Sequence, residues 1–489
     1  MAETSIVLST VTGRYTHTAF GLRWLLANLG PLRERATLRE FHLQHPPMEI
    51  AERLLAENPA ILGLGVYIWN VSVITQVAQA IKGVRPDIVL VLGGPEISHE
   101  YENTPLYDAA DYIVCGEGEI AFRQLCEAIL EGRPPAQKMI QAERLDVTQL
   151  HLPYDAYTED DVTRRLVYVE ASRGCPFRCE FCLSSLDPQV RDFPLEPFLD
   201  ALKTLLARGV RNLLFVDRTF NLKTDRADAI LRFLLEHWRE GVRVHFEIVP
   251  DRLNEVLLRR MAEFPPEGLH LEVGVQTFTP LVLENISRRQ DKQKTLETIR
   301  FLREQTGVLL HADLVAGLPG ESWETFAASF DQLLALRPHE IQVGILKRLK
   351  GAPIARHIPE HRMVFSAQAP YEILQTDRLE FSQMQRIKRF ARYFDLFYNS
   401  GNFPASLPRL FQSRPSAFDA FMAFSDHLWN TTGRTHEFPL AQLARHLHGF
   451  LILSGTDSPA VLAETIKNDF HHLPGRKDKL SFLNNTGSG

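Results

Sequence analysis

The chain has 489 residues, 45% of them hydrophobic and 23% charged, with a formal net charge of −6. That length allows about three domains of roughly 150 residues each, and the composition excludes a disulfide-stapled miniprotein, a low-complexity chain and a strongly basic nucleic-acid binder. No stretch reaches the roughly 18 uninterrupted apolar residues of a membrane helix, and the start, MAETSIVLSTVTGRYTHTAF, shows no basic leader with an apolar core. A soluble, cytoplasmic protein with neither nucleic acid nor membrane as partner is therefore expected, and five cysteines, an odd number, suit a reducing compartment.

Residues 1–136 alternate short apolar strands (SIVLS, TLREFHL, AILGLGVY, IVLVLGG, YIVCGEGE) with amphipathic helices. The alternation predicts an α/β fold with a parallel sheet covered on both faces, a doubly wound, flavodoxin-like domain of five strands. Ligands of such sheets bind beyond the carboxyl ends of the strands. There the chain places Gly65 and Tyr67 after the third strand, Gly93, Gly94, Pro95 and Glu96 after the fourth, and Gly116, Glu117, Gly118 and Glu119 after the fifth. Missing side chains let a large flat ligand approach the backbone, although glycines that only turn the chain would look the same locally.

Residues 137–165 are proline-bearing and poorly periodic and read as a linker. Residues 166–362 carry six further strand patterns (LVYVEAS, NLLFVD, RVHFEIV, LHLEVGVQ, VLLHADLVAG, EIQVGIL) separated by helical stretches, which predicts a partial (β/α)6 barrel of the TIM type. From 363 to 489 no strand pattern recurs. QMQRIKRFARYFDLFYNSG and AQLARHLHGFLILSG read as amphipathic helices of a C-terminal cap over the barrel mouth, with core packing as the alternative for their aromatic stripes. The final NNTGSG reads as a disordered end or an expression remnant.

Just beyond the first barrel strand, ASRGCPFRCEFC sets Cys175, Cys179 and Cys182 at offsets of four and three. On a loop these thiolates can converge on one metal centre. Structural zinc asks for four protein ligands, and no histidine or further cysteine follows within fifty residues, His237 being next. An iron-sulfur cube held by three thiolates instead leaves one iron open to nitrogen and oxygen of a substrate.

CxxxCxxC, with Phe181 before the last cysteine and a βα context around it, resembles the signature of the radical S-adenosylmethionine (SAM) superfamily, and the barrel resembles the oxygen-independent coproporphyrinogen oxidase branch. The resemblance implies a 4Fe-4S cluster whose open iron chelates the amino and carboxylate groups of SAM. It also implies an electron from an external donor such as flavodoxin or ferredoxin, and cleavage to a 5′-deoxyadenosyl radical. By the same resemblance Phe181 lies against adenine, Asp217 and Thr219 in VDRTFN stand near the methionine end, and Glu247 faces the cofactor. Gln276 follows on the fourth strand, Arg288 sits in a helix near the methionyl carboxylate, and Asp313 holds ribose hydroxyls, with Gly317 and Gly320 permitting close approach. VDRTFN lacks the glycines that the family often has there, and Arg289 leaves the arginine open by one position. No acid or base catalyst is implied, since the cofactors carry the hard steps.

A flavodoxin-like domain ahead of such a barrel, with GGPEIS and CGEGEIAF in its loops, resembles the cobalamin-binding-domain class of radical SAM enzymes over about residues 1–355. Cobalamin is then a third cofactor. The DxHxxG signature is absent from RYTHTAFG, so the resemblance implies base-off binding with weak or no ligation from below, His17 being the one nearby histidine. The methylthiotransferase branch would need three more cysteines, but only Cys115 and Cys126 remain, and Cys126 in AFRQLCEAIL reads as a core residue. The implied activity is methylation of an unactivated carbon of a small-molecule substrate through methylcobalamin. A non-methylating radical enzyme is the first alternative. A non-catalytic iron-sulfur or corrinoid carrier is the second, opposed by the Gln276, Arg288 and Asp313 set.

Overall fold

The computed structural model describes residues 5–102, 104–472, 476 and 480–483, so the terminal NNTGSG lies outside the described residues. The chain opens with β1 (Ile6–Thr12), α1 (Phe20–Ala27), β2 (Ala36–His42), α2 (Pro47–Ala56), β3 (Ile61–Gly65), α3 (Val71–Val84), β4 (Val89–Gly93), α4 (Pro105–Ala109), β5 (Tyr112–Cys115), α5 (Gly118–Leu130) and β6 (Met139–Gln141). All six strands are parallel, in the order β2-β1-β3-β4-β5-β6. β1 is buried along its whole length, as a central strand covered on both faces must be. One face packs on α2, α3 and α4 through Ile50, Leu54, Ile74, Val77 and Leu106. The other packs on α1 and α5 through Leu22, Phe122 and Leu125. The strand order reverses between β1 and β3, and the crevice at such a switch point is where ligands bind.

The sheet has six strands rather than five, and the expected linker 137–165 begins inside it. MIQ is too short for period-two alternation to register, yet its backbone completes the ladder beside β5. The rest of that segment holds α6 (Glu159–Arg164), where Thr158 and Asp161 form a reciprocal cap.

The barrel begins at β7 (Val167–Val169). β8 (Ser172–Arg173) and β9 (Arg191–Asp192) form a two-residue antiparallel ladder that closes the cysteine loop at its base. There follow α7 (Leu195–Ala207), β10 (Asn212–Phe215), α8 (Thr224–Glu236), β11 (Arg243–Ile248), α9 (Glu255–Ala262), β12 (Leu269–Gln276), α10 (Pro280–Asn285), α11 (Lys292–Gln305), β13 (Leu309–Ala316), α12 (Trp323–Ala335) and β14 (Glu340–Ile345). The parallel order β7-β10-β11-β12-β13-β14 follows the sequence, as in a six-stranded open barrel. β12 shows why the strands face as they do. Leu269, Leu271, Val273 and Val275 are buried outward under the helices, while His270, Glu272, Gly274 and Gln276 alternate onto the inner face.

Beyond the barrel a short hairpin, β15 (Val364–Phe365) with β16 (Ile373–Gln375), precedes α13 (Phe381–Phe394), α14 (Ser406–Phe411), α15 (Ala417–Thr432), α16 (Leu440–Ser454) and α17 (Pro459–His471). The region is helical as expected, apart from this hairpin, whose strands are too short to show a pattern. The aromatic stripe is core. Phe390, Phe394 and Phe418 pack edge-to-face around Phe330 of α12. Asn399, just after α13, brackets the edge strand β14, accepting from the Ile341 amide at 2.9 Å and donating to its carbonyl at 3.1 Å. These contacts place the helices on the barrel's outer flank and free edge, while Ile373 and Met384 reach Gly317 just past the carboxyl end of β13.

Two seams join the first domain to the barrel. Arg23 and Arg165 bridge Glu40 and Asp161 at 2.6–2.9 Å, four charges that are almost wholly buried. On the other side Arg348 pairs with Glu100, and Lys350 with Glu96 at 3.0 Å.

Candidate functional site

The cysteine loop leaves β7 toward the carboxyl end of the barrel. Gly174 starts it with φ +92, where an added Cβ would lie 2.3 Å from the Gln189 carbonyl oxygen, so only glycine lets the two arms of the loop close. Glu180 rivets the middle. Its carboxylate accepts from Ser287 and Arg356 and meets His357 Nε2 at 2.8 Å, while its backbone bonds to Ile286 and Ile354. The result brings Cys175, Cys179 and Cys182 onto one wall of a cavity of about 190 Å³, with Phe181 beside them and Thr219, Glu247, Gln276, Arg288 and Asp313 on the facing strands. Thr219 Oγ1 is 3.8 Å from Cys175 Sγ, and Arg288 Nη1 is 3.4 Å from Cys179 Sγ. Three converging sulfurs without a fourth, open to a cavity rich in polar groups, fit a cluster with one iron left for a ligand.

Three expectations change. Asp217 does not line this cavity; it accepts from the Ala171 amide at 2.9 Å and the Ser172 hydroxyl at 2.6 Å, pinning the entry to the cysteine loop. In the turn after β10 the next residue faces the cavity instead, so Arg218 takes the place left by the missing glycines and pairs with Glu247 at 2.8 Å. Arg288, and not Arg289, faces the cavity, but from the turn after α10 rather than from a helix, bonded to the Gly274 carbonyl. Gly317 and Gly320 lie against Ile373 and Asn285 rather than against the cavity.

Glu272 also lines the cavity and was missed, although the alternation that points Gln276 inward points Glu272 inward too. Burial alone would raise its carboxyl, but the hydrogen bond from His245 and the charge of His311 hold it at about 2. Burial and the Glu272 carboxylate push the neighbouring Asp313 carboxyl up. Burial drives Asp217 to about 6 despite its two donors.

At the switch point of the first sheet a cavity of about 340 Å³ collects Gly65, Tyr67, Gly93, Gly94, Gly116, Glu117, Gly118 and Glu119 and runs down the sheet face past Gly63, Leu25 and Phe122. Gly94, at φ +111, has the Val66 carbonyl oxygen 2.4 Å from where a Cβ would sit. Pro95 and Glu96 are not in the lining. Glu96 is buried and turned to Lys350 and Tyr371 at the seam. Glu117 and Glu119 line the cavity with their carboxylates occupied, Glu117 by Arg191 at 2.8 Å and Glu119 by Arg173 at 2.7 Å. Arg173 and Glu170, from the barrel side, complete the wall, and burial pushes Glu170 up to about 7. An adjoining cavity of about 520 Å³ shares Phe20, Gly21 and Tyr67; His17 lies there, its Nδ1 2.6 Å from the Tyr168 hydroxyl. A long, glycine-walled trough at strand ends, opening toward the barrel, fits a flat ligand with an extended tail.

Comparison with known proteins agrees with this arrangement. Residues 169–333 match the model of the radical SAM superfamily, and residues 6–126 that of the B12 binding domain. The chain carries a radical SAM domain and a B12-binding domain. The radical SAM domain implies a 4Fe-4S cluster and SAM as cofactors, and the B12-binding domain implies cobalamin. Residues 359–488 match a protein family of unknown function, DUF4080. The chain is similar to the uncharacterized methyltransferase PH0819 of Pyrococcus horikoshii, 27% identical over 58% of this chain and 65% of that protein. It is also similar to the cobalamin-dependent radical SAM methyltransferase TokK of Streptomyces tokunonensis, 26% identical over 63% of this chain and 50% of that one. The chain thus spans between half and two thirds of the length of these curated relatives. Among solved structures, the radical SAM methyltransferase TsrM of Kitasatospora setae superposes with a TM-score of 0.60 at 20% identity, covering 77% of this chain and 80% of that one. Among the described residues no helix is long and apolar enough to cross a membrane.

Proposed function

We propose that this protein is a cobalamin-dependent radical SAM methyltransferase that methylates an unactivated carbon of a small molecule. One observation supports the reading most. The loop from Glu170 to Cys182 belongs to both cavities, with Glu170 and Arg173 in the wall of the first and Cys175 in that of the second. Arg173 and Cys175 are two residues apart, so their Cα atoms are at most about 7 Å apart. Two reagents bound in these cavities would reach a common space. Similarity to proteins named as methyltransferases supports the same reading.

When bound, the cluster and SAM supply a 5′-deoxyadenosyl radical, and cobalamin supplies the methyl group. The residues bind and orient. Cys175, Cys179 and Cys182 would hold the cluster, and Thr219 and Arg288 would donate toward its sulfurs. Gln276, Arg288 and Arg218 would meet the amino acid end of SAM, where a guanidinium matches a carboxylate. Phe181 would lie against adenine, while Glu247 and Asp313 would accept from its polar edges and ribose hydroxyls. Gly65, Tyr67, Gly93, Gly94, Gly116, Glu117, Gly118 and Glu119 would form the cobalamin trough. Phe20 and Trp24 would keep water from it. An external flavodoxin or ferredoxin would deliver the electron.

Anoxic reconstitution with iron, sulfide, cobalamin, SAM and a reductant tests the reading. Formation of 5′-deoxyadenosine together with S-adenosylhomocysteine is expected. The nucleoside alone would shift the assignment to a non-methylating radical enzyme, and absence of both would overturn it. Each of Cys175→Ala, Cys179→Ala and Cys182→Ala should abolish nucleoside formation while cobalamin binding persists.

A further inference from the structure

At the end of the barrel opposite the cysteine loop, three adjacent strands turn metal-binding side chains onto one inner face. His270 stands near the start of β12, His311 on β13 and Glu340 at the start of β14, and one ligand atom from each lies within 4.8 Å of the other two. His270 and Gln276 are six residues apart on β12, so this cluster is about 20 Å along the strand from the end that carries Gln276. The parallel register explains the meeting, since His311 is paired with Glu340 on one side and with Glu272 on the other, and Glu272 is two residues along β12 from His270 on the same face.

The surroundings are those of a ligand set. His311 Nδ1 faces Glu340 at 3.0 Å, and its other nitrogen, Nε2, is 3.0 Å from the Asp313 carboxylate. With Nε2 held by the Asp313 carboxylate, an arriving metal would displace the proton that Nδ1 shares with Glu340 and take both of those atoms as ligands. His270 sits between the rings of His245 and His311, with its centroid 5.0 and 5.8 Å from theirs, and its own nitrogens make no hydrogen bond to another described residue. Two imidazoles and a carboxylate are the donor set of zinc sites that keep a fourth position for water. Bonds of about 2.1 Å place tetrahedral ligands about 3.4 Å apart, so small rotations of His270 and Glu340 suffice.

We infer that His270, His311 and Glu340 form a binding site for one zinc-class divalent cation at the amino-terminal end of the barrel, separate from the cysteine loop. The ion braces three neighbouring strands. Through His311 and Asp313 it also stiffens the wall of the SAM cavity, since Asp313 belongs to both.

The test uses the full-length protein, anoxically reconstituted with its cluster, equilibrated with zinc sulfate and desalted. Elemental analysis should find one zinc per chain besides the iron, and absorption at the zinc edge should show nitrogen and oxygen neighbours at about 2.0–2.1 Å with no sulfur near 2.3 Å. His270→Ala should lower retained zinc at least tenfold with iron content and circular dichroism unchanged. Glu340→Gln, at a more exposed position, should do the same and serves if the histidine variant misfolds. The site is overturned if the wild type retains less than a tenth of a zinc per chain, if sulfur surrounds the zinc, or if both variants fold and hold as much zinc as the wild type.

Discussion

Arg288 makes two bonds at once, one to Cys179 Sγ and one to the Gly274 carbonyl, so its guanidinium is fixed before any ligand arrives. Charged hydrogen bonds of this kind contribute about 1.5–3 kcal/mol. Arg288→Ala should therefore weaken SAM binding by roughly ten- to a hundredfold, read by equilibrium dialysis, whereas Arg289→Ala should leave it within about twofold. Glu321 carries a different prediction. It is fully buried, accepts from the Gly317 amide at 3.0 Å, and leaves Oε1 without a hydrogen-bond partner among the described residues. Burial raises its carboxyl from 4.5 to about 8. The folded chain then holds a proton that the unfolded chain releases, so this contribution to stability is complete below pH 4.5 and is lost as pH rises through 8. In Glu321→Gln the fall of stability with rising pH should flatten between pH 4.5 and 8; an unchanged slope there would contradict the protonated carboxyl. At this scale Cys175, Cys179, Cys182, Phe181 and Gln276 were legible because a motif spacing or a strand end announces them. Arg218, Glu170 and Arg173 were not, because nothing local distinguishes a charged side chain turned into a cavity from one turned to water.

The elements position these residues through short, constrained joints. Gly94 lets the loop after β4 cross the end of β3 at a distance that no Cβ tolerates. Gly94→Ala should cost about 1–3 kcal/mol through the strained backbone it imposes and should lower cobalamin retention on gel filtration at least tenfold, with the cluster content intact. Alternation in β12 placed its inner face correctly, and the three polar residues and one glycine on that face are legible once one of them is known to point inward. Elements of two or three residues, β6, β8, β9, β15 and β16, were illegible. A pattern of period two needs more length than they have, and they exist only because a neighbouring strand offers its free edge.

Across the whole molecule, the separation of the two cavities depends on how the first domain docks on the barrel. The clamp of Arg23, Arg165, Glu40 and Asp161 is buried, so removing one member strands a charge. Arg23→Met should destabilise the protein by about 3–5 kcal/mol. In denaturant the first domain should then melt ahead of the barrel, followed by tryptophan fluorescence, as Trp24 and Trp69 lie in the first domain and Trp238, Trp323 and Trp429 do not. A single unshifted transition would show that the seam is carried elsewhere. The same docking turns Glu96 away from the trough and toward Lys350, a choice that no local pattern encodes.

By itself the sequence determined the two α/β units, their order, the three thiolates and the strand ends where ligands gather, because periodicity and motif spacing are local properties written along the chain. Only the tertiary structure decided which charged side chains enter the cavities, that one loop walls both of them, and that the terminal helices flank the barrel. Those outcomes depend on which distant segments pack together, and burial energies between distant segments leave no mark on the order of neighbouring residues.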